Sequence, residues 1–277
     1  MKKPIRLPAL LRTLVLLSGA AFFAQSAHAD ELVIPGSGNP EHVLDELARE
    51  FNAGQSRHRV LVPATTGTAG AVRDVSEGTA VLGRVGRPLN AAELSRGLTY
   101  LPFARDVIAV AGGAAVNARG LSGAQLVAVF AGKITDWSVL GGKPAPIRVI
   151  GKEKNDTIRQ QIEKKFGDLT MGDAVKIVHL DSQVLELLER YPTSFATLNR
   201  SALAASRTRL AILALDGVEP SLENLESWRY PLSVEFGLIH KSGGLSPAAK
   251  AFLEFIRTEQ AAKIMRAQGV LPLMTQR

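Results

Sequence analysis

The sequence predicts an α/β protein built from alternating strand and helix layers. Three observations carry this. Short apolar runs alternate with amphipathic helical stripes, Gly- and Thr-rich loops separate them, and no fixed-period repeat or low-complexity linker divides the chain. Residues 32–34 read as a strand ending in a loop at 35–40. Val43, Leu44, Leu47, Ala48 and Phe51 recur at helical spacing, so 43–52 reads as a helix with one apolar face. A second strand is expected at 59–63, then the loop TTGTAG at 65–70 and a helix over 71–77. A short strand follows at 80–83, and Arg87, Pro88 and Leu89 lead into a helix around 91–96.

Further strands are expected at 107–111 and 147–150, with a helical stripe at 121–130 between them. FAGKITDWSVLGG at 130–142 reads as a helix end, a Gly turn and a loop anchored in the core by Trp137. KEKNDTIRQQIEKKF then reads as a polar loop feeding a helix that begins near Thr157. Another helix is expected at 184–189 and a strand at 210–215. An alternating strand at 233–240 precedes one long amphipathic helix at 248–268, stopped by Gly269.

The first 29 residues stand apart from this pattern. Lys2, Lys3, Arg6 and Arg12 form a basic start, residues 14–24 are apolar, and Ala27-His28-Ala29 supplies small residues for cleavage before Asp30. The apolar run is too short to span a bilayer, so residues 1–29 read as a cleavable signal peptide. Without them, 29 Lys and Arg face 26 Asp and Glu, a net charge of only +3. These charges are interspersed, with no nucleic-acid footprint and no polybasic membrane patch.

The chain has no cysteine, which excludes disulfides, thiol catalysis, Cys-based metal sites and a lipid-modified N-terminal Cys. The expectation is a freely diffusing periplasmic protein of about 248 residues. With 46% apolar residues in the full chain, it can bury a large core as one domain or two lobes.

The chemistry-bearing residues sit in loops before helices. Such a loop presents unpaired backbone N–H groups and the positive end of the helix macrodipole, both suited to an oxyanion. Lys152, Asn155 and Thr157 add side-chain donors, whereas Asp156 adds a carboxylate that repels anions. GSGNPE at 36–41 lacks the third Gly of a dinucleotide fingerprint. It fits an anion nest at a helix start instead. His42, His58, His179 and His240 show no metal-ligand spacing, and Ser194 and Ser246 show no readable Ser-His-Asp arrangement.

The motifs GSGNP at 36–40, TTGTAG at 65–70, EGTAVLGRVGRPL at 77–89 and FARDVIAV at 103–110 resemble those of a known family. So do FAGKITDWSVLGG at 130–142, GVEPSLENLESWRYPL at 217–232 and LSPAAKAFLEFIRTEQAAKIMRAQGVLPL at 245–273. In order and spacing, nearly end to end, the chain resembles the PstS-type phosphate-binding group of periplasmic solute-binding proteins. The resemblance implies a two-lobe, type II periplasmic-binding-protein α/β fold, with mixed sheets flanked by helices and a cleft between the lobes. Residues 30–105 would form the first part of lobe 1, 106–228 lobe 2, and 229–277 the return to lobe 1.

The resemblance further implies a monomeric, non-enzymatic protein without metal or cofactor. It would close on phosphate or a similar small oxyanion and hand it to an ABC permease in the inner membrane. Carried over by position, the ligand set is Ser37, Gly38, Asn39, Thr68, Lys152, Asn155, Asp156 and Thr157. Arg87 is the preferred compensating cation, with Arg84 and Arg159 as further candidates.

The departures are specific. The family's R-x-x-S-G-T is K-E-K-N-D-T at 152–157, so Lys152 replaces a bidentate Arg clamp with a point charge. Asp156 stands where Gly lets the backbone approach the anion. Gly86 and Val81 replace the acceptors that would recognise a phosphate proton. YPTSFAT at 191–197 replaces a Gly-rich apolar turn. Two outcomes stay open. Either Asp156 turns away to cap the following helix and phosphate is held, or the site has diverged toward another small ligand or a sensor or adaptor role.

Overall fold

The computed structural model describes residues 30–207 and 209–273. The expected signal peptide lies outside these residues. Among them, no helix is long and apolar enough to cross a membrane.

The first strand, β1 (Asp30–Val33), pairs in parallel with β2 (His58–Leu61), and α1 (Glu41–Gly54) connects the two. The expected stripe on α1 is buried, and Phe51 packs edge-on against Phe252, with ring centroids 5.4 Å apart. Next come α2 (Gly67–Glu77), β3 (Gly83–Val85) and α3 (Ala91–Leu94). A parallel bridge between Gly36 and Arg84 ties the β1–β2 pair to β3. Gly36 is required there, because its φ is +137° and a Cβ would lie 2.0 Å from the Arg84 carbonyl oxygen.

The 15-residue strand β4 (Leu98–Gly112) joins the two halves of the molecule. Its first part pairs antiparallel with β10 (Ser233–Lys241) and β11 (Val270–Pro272). Its last part, from Ile108, pairs antiparallel with β8 (Ser194–Asn199) and β9 (Ala211–Leu215). Beyond β8 lie β6 (Arg148–Lys152) and β7 (Lys176–Val178), both parallel to it in direction, and the short β5 (Gly120–Leu121) pairs with β9.

The helices α4 (Gly123–Phe130), α5 (Thr157–Phe166), α6 (Asp181–Arg190) and α7 (Leu222–Glu226) belong to the middle of the chain. Finally, α8 (Pro247–Ile256) and α9 (Glu259–Ala267) return to pack beside α1. Trp137 is the core anchor expected: it is buried, and its indole N–H donates to the Thr193 carbonyl at 2.9 Å.

Several boundaries differ from expectation. The helix after TTGTAG starts at Gly67, so Thr68 stands in its first turn and not in the loop. The strand expected at 80–83 is instead β3, beginning at Gly83. The single helix expected at 248–268 is two, because Thr258 accepts from the Ala261 N–H at 3.2 Å and caps a new start. The second part of YPTSFAT, from Ser194, opens the fully buried strand β8 between β4 and β6.

Candidate functional site

A cleft of about 910 Å³ opens where four helix N-termini converge: α1 and α2 from one half, α5 and α6 from the other. At about 30 Å³ per water, this is room for roughly thirty waters, far more than one inorganic anion fills. The two walls are built alike in backbone and differently in side chains.

On the first wall neither helix has a side-chain cap. The N–H groups of His42, Val43, Thr68 and Ala69 fall in first turns, where the helix supplies no acceptor. Ser37, Gly38 and Asn39 sit beside them, braced by Arg84. That guanidinium is fully buried and donates to the carbonyls of Ser37 (2.8 Å), Pro63 (2.7 Å) and Ile34, and to Glu41 (2.8 Å). Arg84 is therefore a brace for the loop, not a spare cation for the cleft.

Thr65 donates its hydroxyl to the Gly36 carbonyl at 2.9 Å, while Thr68 Oγ1 accepts from the Gly86 N–H at 3.4 Å. Thr68 thus retains a hydroxyl proton to offer. A Cβ on Gly86 would lie 2.8 Å from Asn39 Nδ2 and 2.9 Å from Ser37 Oγ. A side chain at position 86 would therefore have to displace the Asn39 amide and the Ser37 hydroxyl, two of the donors expected for a ligand.

Arg87 lines the cleft but is engaged. Both terminal nitrogens donate to Glu93, each at 2.8 Å, and these bonds hold the Glu93 carboxyl below the usual carboxylate range. Asp45 is paired with Arg49 at 3.4 Å. The charges of this wall are balanced.

The second wall carries its own anions. Asp156 caps α5, accepting from the N–H groups of Ile158 (2.8 Å) and Arg159 (3.3 Å), so two donors expected for a ligand are already taken. Burial pushes the Asp156 carboxyl above its ordinary range; Lys152 pulls it back and Asp181 pushes it up further. Lys152 is buried, lies behind the cleft lining, and forms an ion pair with Asp181 at 2.7 Å.

Arg159 points elsewhere, to Glu163 at 2.9 Å and the Leu169 carbonyl at 2.9 Å. Thr157 lines the cleft with its own N–H uncapped, and the exposed Asn155 lies beside it. His179 lines the rim within 3.0 Å of Glu153. Among the described residues, no group of three His, Asp or Glu is arranged to hold a metal ion.

The structure thus gathers Ser37, Gly38, Asn39, Thr68, Arg87, Asn155, Asp156 and Thr157 around one cleft, with Lys152 behind it. It adds residues the sequence did not single out: Glu41, Thr65, Asp181, Asn199 and Ser201. Asp181 had one visible signal, an acidic residue just before a helical stripe. Its partner Lys152 lies 29 positions earlier, and nothing in the sequence joins them.

A family model described as a PBP superfamily domain matches residues 23–260. The phosphate-binding protein PstS of Bacillus subtilis (strain 168) is 26% identical over 250 residues, covering 87% of this chain and 80% of that protein. A crystal structure of a Clostridium perfringens ABC-transporter substrate-binding protein with bound phosphate superposes with a TM-score of 0.80. It is 22% identical and covers 88% of this chain and all of that one. An ABC-type phosphate transport receptor from Vibrio cholerae gives a TM-score of 0.69 at 22% identity, over 87% of this chain and 99% of its own. The mixed α/β architecture is that of these type II binding proteins. The chain belongs to the PBP superfamily, and its relatives include the PstS-type phosphate-binding proteins that its motifs resemble.

Proposed function

We propose that the chain is a periplasmic solute-binding protein that captures phosphate or a similar small oxyanion between two lobes and delivers it to an ABC permease. The observation that carries this reading is the pair of uncapped helix N-termini, α1 and α2, facing the cleft beside the Ser37 and Thr68 hydroxyls. Each such terminus stabilises an anion by about 0.3–1 kcal/mol when exposed, and up to about 2 kcal/mol when partly buried. The strand β4 and the return at 229–232 are the connections about which lobes 30–105 plus 229–277 and 106–228 would close. Ligand held by both walls favours the closed state by its differential affinity. Capture needs no turnover, and no nucleophile is required of the cleft.

One observation favours a second reading, a diverged member that binds another ligand or acts as a sensor or adaptor. Asp156 occupies the α5 N-terminus, and Asp181 neutralises Lys152. The test is calorimetric titration of the chain from Asp30 onward, stripped of ligand, with phosphate and then sulfate at neutral pH. Micromolar or tighter phosphate binding with sulfate silent is the expected result. No heat with either anion removes the oxyanion reading and leaves the second one standing.

A further inference from the structure

The inner end of the cleft holds a polar side chain that the oxyanion reading does not use. Asn199 ends β8, is 1% exposed and lines the cleft. Neither its Oδ1 nor its Nδ2 has a hydrogen-bond partner among the described residues. A buried amide left unmatched is costly to keep, so its retention points to a ligand group that meets it. Its surroundings state the polarity of that group. The Asn199 N–H donates to Asp181 Oδ2 at 3.2 Å, and Asp181 and Asp156 are close enough to raise the Asp156 carboxyl. Three acceptors, two of them carboxylates, therefore share this corner: Asn199 Oδ1, Asp156 and Asp181. With Lys152 paired to Asp181, the two carboxylates leave one net negative charge here, and an ammonium group brings one positive charge with donors for Asn199 Oδ1 and for the carboxylate lone pairs still open.

Resting on the oxyanion reading, we infer that the preferred solute is a zwitterion joining a tetrahedral oxyanion to a protonated amine, an aminoalkyl phosphate or phosphonate. The anionic end lies on the uncapped starts of α1 and α2, and the amine lies against Asn199, Asp181 and Asp156. Such a molecule spans both walls, uses more of the 910 Å³ than inorganic phosphate does, and turns the carboxylates from a penalty into ligands. It also accounts for the departures from the family pattern at Asp156 and Lys152 with one cause.

The test compares inorganic phosphate, O-phosphoethanolamine, ethyl phosphate and ethanolamine by calorimetry on the ligand-free mature chain. Ethyl phosphate replaces the aminoethyl arm by an uncharged ethyl group. The expected result is phosphoethanolamine binding at least tenfold tighter than ethyl phosphate and tighter than phosphate. That advantage should fall below threefold in Asn199→Ala and in Asp156→Asn, the second variant keeping a helix cap if the first fails to fold. Phosphoethanolamine and ethyl phosphate binding within twofold of each other overturns the amine site while leaving the oxyanion reading intact. Phosphate binding tightest overturns it equally. If ethanolamine alone binds as well as phosphoethanolamine, or none of the four binds, the oxyanion reading fails and this inference fails with it.

Discussion

The two walls of the cleft use the same backbone device and reach opposite electrostatic ends. On the α1–α2 wall, every charged group has a partner of opposite sign: Glu41 with Arg84, Asp45 with Arg49, Arg87 with Glu93. No carboxylate caps the helix starts there: at α2 the Thr65 hydroxyl accepts from the Gly67 N–H at 3.2 Å, and Glu41 in the first turn of α1 is turned to Arg84. On the α5–α6 wall, Lys152 is offset by Asp181, and Asp156 and Glu153 have no Lys or Arg partner among the described residues. The start of α5 is filled by Asp156 itself. Two unit charges 4 Å apart interact by about 4 kcal/mol at an effective dielectric near 20. A bare helix start gives at most about 2 kcal/mol. A side chain can thus outweigh the macrodipole, and helix starts alone do not make both walls attract an anion.

The comparison breaks most directly at Arg84. Arg84→Met leaves the carbonyls of Ile34, Ser37 and Pro63 without a donor and Glu41 without its cation. At about 1–3 kcal/mol for each buried group left unmet, the expected loss is about 4 kcal/mol. For a chain of this size that is a fall of roughly 10 °C in Tm, measurable by calorimetric or circular-dichroism melting. A loss below about 1 kcal/mol would mean the first wall does not depend on this brace.

The second test lies on β4, under the junction of the walls. Asp106 is fully buried, accepts the Ser201 hydroxyl at 2.5 Å, and has Asp181 nearby; burial pushes its carboxyl up to about 7. The folded protein therefore holds this proton more tightly than the unfolded chain, whose value is near 3.8. The stability this contributes is complete below about pH 4 and is lost as pH rises through about 7. At about 1.4 kcal/mol per unit the ceiling is about 4 kcal/mol. Asp106→Asn should remove this slope, gaining on the parent chain by a few kcal/mol between pH 5 and pH 8 in urea titrations. Parallel curves for the two would show that Asp106 does not carry the slope.

The third test acts on affinity. Asp156→Ser keeps a capping oxygen and removes the charge, so phosphate should bind ten- to a hundredfold tighter, about 1.4–2.8 kcal/mol. Unchanged affinity would place the anion away from α5.

How much of this was legible beforehand follows the range of the interactions. The α1 stripe and the Trp137 anchor rest on local periodicity and one large side chain, and both read directly from sequence. The first half of β4 did not, because Pro102 argues against a strand. In the structure Pro102 stands opposite Gly237, at the register shift between Phe236 and Gly237, where the ladder is already interrupted. The break between α8 and α9 was hidden because the apolar stripe continues across it, and only the Thr258 cap marks it. At the site, the loops and donors were visible as motifs. The pairings of Lys152 with Asp181 and Arg87 with Glu93, which cancel the expected cations, and the Asn199 corner depend on contacts across the fold.

The smallest effect is the most discriminating between the walls. Thr68 stands in the first turn of α2, where its own N–H has no helical acceptor and its hydroxyl has a proton to donate. Thr68→Val keeps the shape and the backbone donor while deleting the hydroxyl. The expected loss for phosphate is about fivefold, near 1 kcal/mol, with no more than a small change in melting temperature. Read together with Asp156→Ser, the result locates the anion. Weaker binding in the Thr68 variant and tighter binding in the Asp156 variant place it against α2, within range of the opposing carboxylate. Should Thr68→Val leave affinity untouched while Asp156→Ser raises it, the anion sits by α5, and the helix starts of the first wall are not what holds it.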